Sequence, residues 1–419
     1  MTGRRTFLSM MVGAAAAPRF AMAQSGGGKL VVYAAVGPEL RWYDANVADA
    51  TLEQRGSVRV PANIQYVWPH ISRRYLYATS SDSASGLGGF AGKTHHASAL
   101  RVDPASGALA LHGDPVPLAT RPIHNSTDRR SQYLLVAYNN PAGVTVHRIN
   151  ADGTIGAEVK QAKPIDAGIF AHQVLLTPDN RLAIVVARGN QPEKGKPEDP
   201  GALKVYRFSE GVLSDGVTIA PNGGYGFGPR HLDFHPSRPW IYVSLERQNQ
   251  LTLFPRSGDS LGTEPLYRRD LLEQPANVRP RQLGGTVHVH PSGHFVYGIN
   301  RGDHTVDFDG RKVFGGGENS LVAFSIDLSS GEPTLLQRID TRGFHPRTFH
   351  IDPSGRLLVA AHIEALDVRD GDAVRHVPAR LSAFRIRDDG RLDYVRSYDV
   401  EVGKAFMWWM GMLQIGGPS

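Results

Sequence analysis

A turn signal that recurs along the chain constrains the fold more than any other feature of this sequence. Four turns contain a proline followed by Ser or Asp, and each leads into a strand of β-branched, aromatic or aliphatic residues. The prolines are Pro178, Pro236, Pro291 and Pro353, at intervals of 58, 55 and 62 residues. Two looser copies lie earlier, around Pro69 and Asp128. A period near 56 residues indicates one supersecondary unit that is repeated along the chain.

Each unit reads as four short strands. An apolar strand precedes the turn, a second follows it, and a third and a fourth are joined by Gly-containing turns such as Asp389-Gly390. Four antiparallel strands are typical of a β-propeller blade. Residues 27–419 have room for about seven such units, so the sequence predicts an all-β, seven-bladed propeller in a single domain. The alternatives, a β-sandwich or an α/β domain, are disfavoured because long amphipathic helical periods and βαβ spacing are missing.

Closure of such a ring requires a blade built from both chain ends. Six of the seven turn signals are visible, so the seventh blade should combine Phe406–Met410 with Leu30–Tyr33. This pairing would remove the open sheet edges that otherwise invite aggregation.

The first residues have the pattern of an export signal. Arg4-Arg5 precede Thr6-Phe7-Leu8, an apolar stretch follows, and Ala21-Met22-Ala23 offers a cleavage site. We interpret residues 1–23 as a twin-arginine signal peptide, which predicts a periplasmic protein. An unprocessed basic tail is the alternative. No later stretch is apolar for long enough to span a bilayer, so we expect no membrane association after the signal is removed.

Charge and cysteine content exclude several classes of function. Removal of residues 1–23 takes away three arginines and no acid, which lowers the formal net charge from +6 to +3. So small an excess gives no support to nucleic-acid binding. The absence of cysteine excludes disulfides, thiolate metal sites and a cysteine nucleophile. We expect a small-molecule substrate and a monomer.

Candidate site residues follow from counting along the repeat. Six residues before the turn proline lies the start of each innermost strand, and ten residues after it lies the end of the second strand. Both positions belong to one face of the ring, so their side chains should meet at one mouth of the central channel. The charged candidates are His172, Arg188, Arg230, Glu246, Arg301 and Arg347. A structural ring of salt bridges is the alternative to an active site.

Two further observations concern the same region. Long insertions at about 82–97, 190–201, 302–318 and 364–379 follow second strands and should surround the same mouth. His288 and His290 alternate on one strand and could bind a metal, although a structural role is the simpler interpretation. We predict no metal site and no cofactor, and we assign His288 to substrate binding.

At these residues the sequence resembles the β-propeller lactonases, which include bacterial 6-phosphogluconolactonases and fungal carboxy-muconate lactonizing enzymes. The likeness covers the mature chain and is most specific at 228–236 with 242–246, and is supported around Pro178, Pro291 and Pro346. The resemblance implies His172, Arg230, Glu246 and Arg301 as catalytic residues. We assign the two other arginines of the counted positions, Arg188 and Arg347, to substrate binding. Ile363 stands where some bacterial members have Gln, which changes the rim of the site.

The resemblance favours metal-independent hydrolysis of a sugar lactone. Glu246 or His172 would be the base, and Arg230 and Arg301 would stabilise the oxyanion. An exported enzyme would meet unphosphorylated sugar lactones rather than a cytosolic phosphorylated one. A muconate-type cycloisomerase and a non-catalytic ligand-binding or partner-binding propeller remain as alternatives. If Arg230 and Glu246 are catalytic, replacing either should leave stability nearly unchanged.

Overall fold

The structure is a computed structural model that describes residues 28–84 and 91–416. The predicted signal peptide, residues 1–23, lies outside the described residues. Within the described ranges the regular elements are strands, apart from one short 3-10 turn at Pro221–Gly224. The described residues contain no helix that is long and apolar enough to cross a membrane.

The strands form seven antiparallel blades, as the repeat predicts. The chain begins with three strands, β1 (Lys29–Val36), β2 (Glu39–Asn46) and β3 (Thr51–Arg59). Blade 1 comprises β4 (Asn63–Pro69), β5 (Tyr75–Ser81), β6 (His95–Val102), β7 (Leu109–Leu111) and β8 (Val116–Pro117). Blade 2 comprises β9 (Pro122–Thr127), β10 (Tyr133–Asn139), β11 (Ala142–Ile149) and β12 (Ile155–Glu158). Blade 3 comprises β13 (Ala171–Leu176), β14 (Leu182–Ala187), β15 (Ala202–Ser209) and β16 (Val212–Ile219).

The second half of the ring repeats this order with insertions. Blade 4 comprises β17 (Pro229–Phe234), β18 (Trp240–Leu245), β19 (Gln250–Ser257), β20 (Ser260–Leu261) and β21 (Tyr267–Asp270). Blade 5 runs through β22 (Leu283–Val289) and β23 (Phe295–Arg301), an inserted hairpin β24 (Thr305–Phe308) and β25 (Arg311–Phe314), then β26 (Ser320–Ile326) and β27 (Pro333–Asp340). Blade 6 runs through β28 (Pro346–Ile351) and β29 (Leu357–His362), a second inserted hairpin β30 (Leu366–Asp370) and β31 (Ala373–Val377), then β32 (Arg380–Ile386) and β33 (Leu392–Asp399).

The ring closes through the two chain ends, as predicted. The last strand, β34 (Met407–Ile415), pairs antiparallel with β1, with Val31 opposite Leu413 and Ala34 opposite Met410. The resulting sheet has the order β3-β2-β1-β34, so the C-terminal strand is the innermost strand of blade 7.

Neighbouring blades are joined by apolar packing and by two repeated polar contacts. Leu135 of blade 2 and Val185 of blade 3, for example, lie in one buried cluster between their sheets. Second-strand tyrosines donate to glycine carbonyls of the next blade, as Tyr242 does to Gly331 (2.7 Å). In the His-Pro-Ser turns, His290 Nε2 contacts the Gly355 carbonyl of the next turn at 2.8 Å. This contact confirms a structural role for His290 and explains part of the turn signal in the sequence.

The two inserted hairpins pair with each other, which the sequence did not predict. β25 and β30 run parallel and are joined at Val313 and Asp367, giving a sheet of order β24-β25-β30-β31. Val313 is buried in it. Both hairpins follow second strands, so this small sheet rises from the mouth face beside blades 5 and 6.

Candidate active site

A β-bulge interrupts each innermost strand near the end that faces the mouth. The register shifts at the second, third or fourth residue of the strand in all seven blades. The bulge residues, which fall outside the one-to-one pairing with the second strand, are Gln65, Ile123, His172, Arg230, Gly285, Thr286, Arg347 and Trp408. Bulges are a common means of redirecting side chains near functional sites. They explain why the counted positions His172, Arg230 and Arg347 converge on the channel mouth.

Glu246 occupies the centre of the charged group at this mouth. Its Oε2 lies 2.6 Å from Nη1 of Arg188, its Oε1 lies 2.9 Å from Nε of Arg230, and Arg301 Nη2 also bonds Oε1. Blades 3, 4 and 5 thus meet on one carboxylate, and the sequence-predicted Arg188, Arg230, Glu246 and Arg301 are in direct contact. Burial opposes ionisation of Glu246, but the three guanidinium groups outweigh it and hold its pKa well below the usual range.

This geometry makes Glu246 a poor general base, and it gives Glu246 the role of holding three arginines in place. The Glu246 side chain is 3% exposed and Arg230 is fully buried, whereas Arg188 keeps 21% of its side chain exposed. A base must take up a proton near the working pH, and the three arginines hold the pKa of Glu246 well below that pH. The salt-bridge interpretation therefore describes Glu246 well.

His345 extends the network from Arg301 towards the rim. Its Nε2 lies 2.7 Å from Arg301 Nη1, and its Nδ1 lies 2.9 Å from Asp303 Oδ2. Because arginine only donates, Nε2 accepts and Nδ1 carries the proton that is donated to Asp303. Burial lowers the pKa of His345 to about 4, so the ring is neutral.

Asp303, His345 and Glu364 are the one group of the described residues whose ligand atoms lie close enough to hold a metal, all within 4.8 Å of one another. Both imidazole nitrogens of His345 are engaged, and Arg281 donates to both carboxylate oxygens of Asp303. No free lone pair of the imidazole remains for a cation, and two guanidinium groups adjoin the cluster. As arranged, these residues do not fit a metal site.

Arg347 is a mouth arginine that a ligand can reach. Among the described residues it forms no ion pair, and its guanidinium lies over the Trp408 ring at 4.6 Å from the centroid. Burial, then Arg230, Arg301 and Arg121, hold its pKa well below that of a free arginine. An anionic ligand would relieve this repulsion, since a guanidinium binds carboxylate or phosphate oxygens in a bidentate manner.

His172 lies at the bulge of blade 3. Burial, then the nearby Arg230, hold its pKa well below the usual value, so the ring is neutral. Its Nδ1 is buried without a hydrogen-bond partner in the described structure, and its ring lies 5.1 Å from that of His231. A neutral imidazole with an unused nitrogen could accept a proton or bond a substrate hydroxyl.

The structure does not bring His288 to the mouth. Its Nδ1 lies 3.4 Å from Asp233 Oδ2, near His350, in a cavity of about 340 Å³. Pro69 and Pro291 of the first turns also line this cavity, so it opens towards the opposite face of the ring. The prediction that His288 shares the site of Arg230 and Glu246 was therefore wrong. His288 lies three residues after Gly285, where the bulge of its strand begins, and so lies further along the channel.

Several residues of the mouth were missed from the sequence. Trp408 comes from the closing strand, which carries no turn proline to count from. Asp303 and Glu364 follow second strands but lie two and one residues beyond the counted positions, and Arg281 and His345 precede innermost strands. Only the insertions at 302–318 and 364–379 pointed to this part of the rim.

A closed seven-bladed ring with charged side chains gathered at one mouth of its channel defines the class of this protein as a β-propeller. A family model described as lactonase, 7-bladed β-propeller, matches residues 33–369. The chain therefore belongs to the seven-bladed β-propeller lactonases. The 6-phosphogluconolactonase of Bacillus subtilis (strain 168) is 27% identical over 314 residues, covering 72% of this chain and 78% of the relative. That of Enterobacter sp. (strain 638) is 26% identical over 310 residues, covering 73% and 79%.

A solved structure agrees with this fold. The periplasmic gluconolactonase PpgL of Pseudomonas aeruginosa superposes with a TM-score of 0.69 at 24% identity, covering 93% of this chain and all of that one. The resemblance inferred from the sequence is thus confirmed for the family and for the seven-bladed architecture.

Proposed function

We propose that this protein is a periplasmic lactonase that hydrolyses a sugar lactone at the channel mouth without metal or cofactor. The observation that carries the proposal is the excess of guanidinium groups there. Arg188, Arg230, Arg301 and Arg347 adjoin the single carboxylate of Glu246, and Arg347 has no acidic partner in the described structure. Family membership and the two curated relatives named 6-phosphogluconolactonase support the reaction class.

Lactone hydrolysis needs a donor for the oxyanion that forms when water attacks the carbonyl carbon. Of the four arginines around Glu246, Arg347 and the exposed part of Arg188 are the ones that a ligand can reach. Glu246 holds Arg188, Arg230 and Arg301 in fixed positions, so the positive field is organised before substrate arrives. The neutral His172, whose Nδ1 has no hydrogen-bond partner in the described structure, is a candidate proton acceptor.

Removing Arg347 tests the oxyanion role. We expect Arg347→Ala to lower kcat/KM for the preferred lactone about 100- to 1,000-fold, because a charged donor to the oxyanion is lost. Arg347→Lys should recover part of the activity, since a point charge replaces the bidentate group. His288→Ala is the matched control, because that imidazole lies in the cavity that opens on the other face. Equal losses in the Arg347 and His288 variants would move the reaction to that cavity.

A panel of lactones distinguishes the candidate classes of substrate. The proposed export signal favours unphosphorylated sugar lactones, so we expect glucono-δ-lactone to be opened with higher kcat/KM than its 6-phosphate. Muconolactone opening or muconate cyclisation by the same preparation would favour the cycloisomerase alternative. An intact fold with no turnover on the whole panel would favour a non-catalytic binding propeller.

Export is tested separately from activity. Replacing both Arg4 and Arg5 with Lys should retain the protein in the cytoplasm if residues 1–23 are a twin-arginine signal. The measurement is the fraction of protein in periplasmic extract, with a single Arg19→Lys variant as control. Unchanged periplasmic accumulation of the double variant would contradict the export proposal.

A further inference from the structure

The carboxyl group of Glu364 lies at the rim of the mouth, in the segment that joins β29 to the inserted hairpin of blade 6. It is partly exposed, unlike the fully buried Glu246. One of its oxygens, one oxygen of Asp303, which lies two residues after β23, and one ring nitrogen of His345 lie within 4.8 Å of one another. Two adjacent blades therefore contribute carboxyl groups to one place, directly beside the arginine network.

Asp303 is the member of this pair that is fixed in its ionised form. Burial opposes its ionisation, but hydrogen bonds from Arg281 and His345 outweigh it and hold its pKa below the usual range. The groups that face Glu364 are thus Asp303 from blade 5, Arg281 from the segment before β22, and His345 from the segment before β28. Two like-charged carboxylates at this distance disfavour each other's ionisation, so the proton of the pair belongs to Glu364.

We propose that Glu364 is the general base and acid of the reaction, with Asp303 as the positioning residue that sets its proton affinity. This inference rests on the proposed lactonase function and names a residue that lies outside the group implied by the family resemblance. The reason lies in accessibility and charge. Glu364 is reachable by a water molecule and carries an exchangeable proton, whereas Glu246 is sealed and neutralised by three arginines.

The step balances as follows. Glu364 carboxylate takes a proton from water while the water oxygen forms a bond to the lactone carbonyl carbon, and the carbonyl π electrons move to the oxygen. The oxyanion then re-forms the carbonyl as the ring C–O bond breaks, and Glu364 returns its proton to the leaving alkoxide oxygen. The products are the opened hydroxy acid, which loses its carboxyl proton to solvent, and the unchanged enzyme.

The protonation of Glu364 fits this role. Burial, and then the Asp303 carboxylate, raise its pKa to about 7, although Arg281 opposes the shift. The base is active when ionised, so kcat/KM should rise with pH through about 7. Removal of the negative charge in Asp303→Asn should move this rise to lower pH.

The test combines steady-state kinetics with a direct titration of the Glu364 carboxyl group, both on the whole chain after removal of residues 1–23. We expect Glu364→Gln to lower kcat/KM about 100-fold or more and to abolish the rise near pH 7, with Tm within a few degrees of the parent. Glu193→Gln is the matched control, because Glu193 is an exposed carboxylate on the 190–201 insertion of the same face. Parent-like activity and pH profile in Glu364→Gln, in a parent that opens lactones, would overturn the base assignment and leave the lactonase function intact.

A second measurement does not depend on turnover. In protein labelled with ¹³C at glutamate side-chain carboxyl carbons, the resonance that disappears in Glu364→Gln should titrate near pH 7, and at lower pH in Asp303→Asn. If that resonance titrated as an ordinary glutamate does, the proposed effect of Asp303 on the proton affinity of Glu364 would be contradicted, even if no lactone in the panel were opened. Failure of the parent on every lactone, with the anomalous titration present, would instead overturn the proposed function and the role of Glu364 in it.

Discussion

Replacing Glu246 with Gln is expected to lower the free energy of unfolding by about 3–5 kcal/mol, the usual cost of removing one partner of a buried ion pair. Glu246 is the shared counter-ion of Arg188, Arg230 and Arg301. Without its charge, Arg230 and Arg301 would be left buried with no acid to neutralise them. Arg230 Nη2 already has no hydrogen-bond partner in the described structure, so the network has no spare acceptor.

The measurement is equilibrium unfolding in denaturant, with Glu332→Gln as the matched control. Glu332 pairs with Arg269 at the surface, where the two side chains are 43% and 33% exposed, and such pairs contribute about 0–1 kcal/mol. Equal stability of the Glu246 and Glu332 variants would show that the buried network is not a structural element. From the sequence, nearly unchanged stability was expected only if Glu246 is catalytic, and the contacts of Glu246 favour the alternative of a structural salt bridge.

Truncating the chain before Phe406 is expected to abolish cooperative folding. β34 is the innermost strand of blade 7 and presents six buried apolar side chains, Met407, Trp409, Met410, Met412, Leu413 and Ile415. At about 1.5–3 kcal/mol for each buried side chain, their loss amounts to roughly 10 kcal/mol or more, which is comparable with the whole stability of a typical domain. The unpaired edge of β1 would also be exposed to aggregation.

The control is a chain that ends at Gly416 and keeps β34 whole. We expect a sharp thermal transition by circular dichroism for the control and none for the truncated chain. Addition of a synthetic peptide of residues 406–416 should restore part of the transition if closure alone is missing. A truncated chain that melts like the control would contradict closure by β34.

The repeat in the sequence predicted the architecture because turn residues and strand patterns act locally. A Pro-Ser-Gly turn and a following β-branched strand have the same meaning in every blade, so four clear copies and two looser ones were enough to fix seven blades. The pairing of Leu30–Tyr33 with Phe406–Met410 followed from the requirement that a ring has no open edge.

The candidate site could be predicted only in part. Counting from the turn proline placed Arg188, Arg230, Glu246 and Arg301 at one mouth, and the structure brings them into contact. The same count could not show that each innermost strand contains a bulge, nor that Trp408 would lie under Arg347. His288 was misplaced because alternation along a strand gives the side on which a residue lies but not its depth in the channel.

The sequence by itself determined the number of blades, their strand order and the face on which the charged residues gather. These are consequences of local turn chemistry and of a period that repeats. Only the tertiary structure decided the state of the charged groups, because a pKa depends on which side chains meet and how deeply they are buried. Glu246 is held ionised by three arginines from three blades. Glu364 lies beside Asp303 because each residue stands at the start of an inserted hairpin, and the repeat does not show that these two hairpins pair with each other.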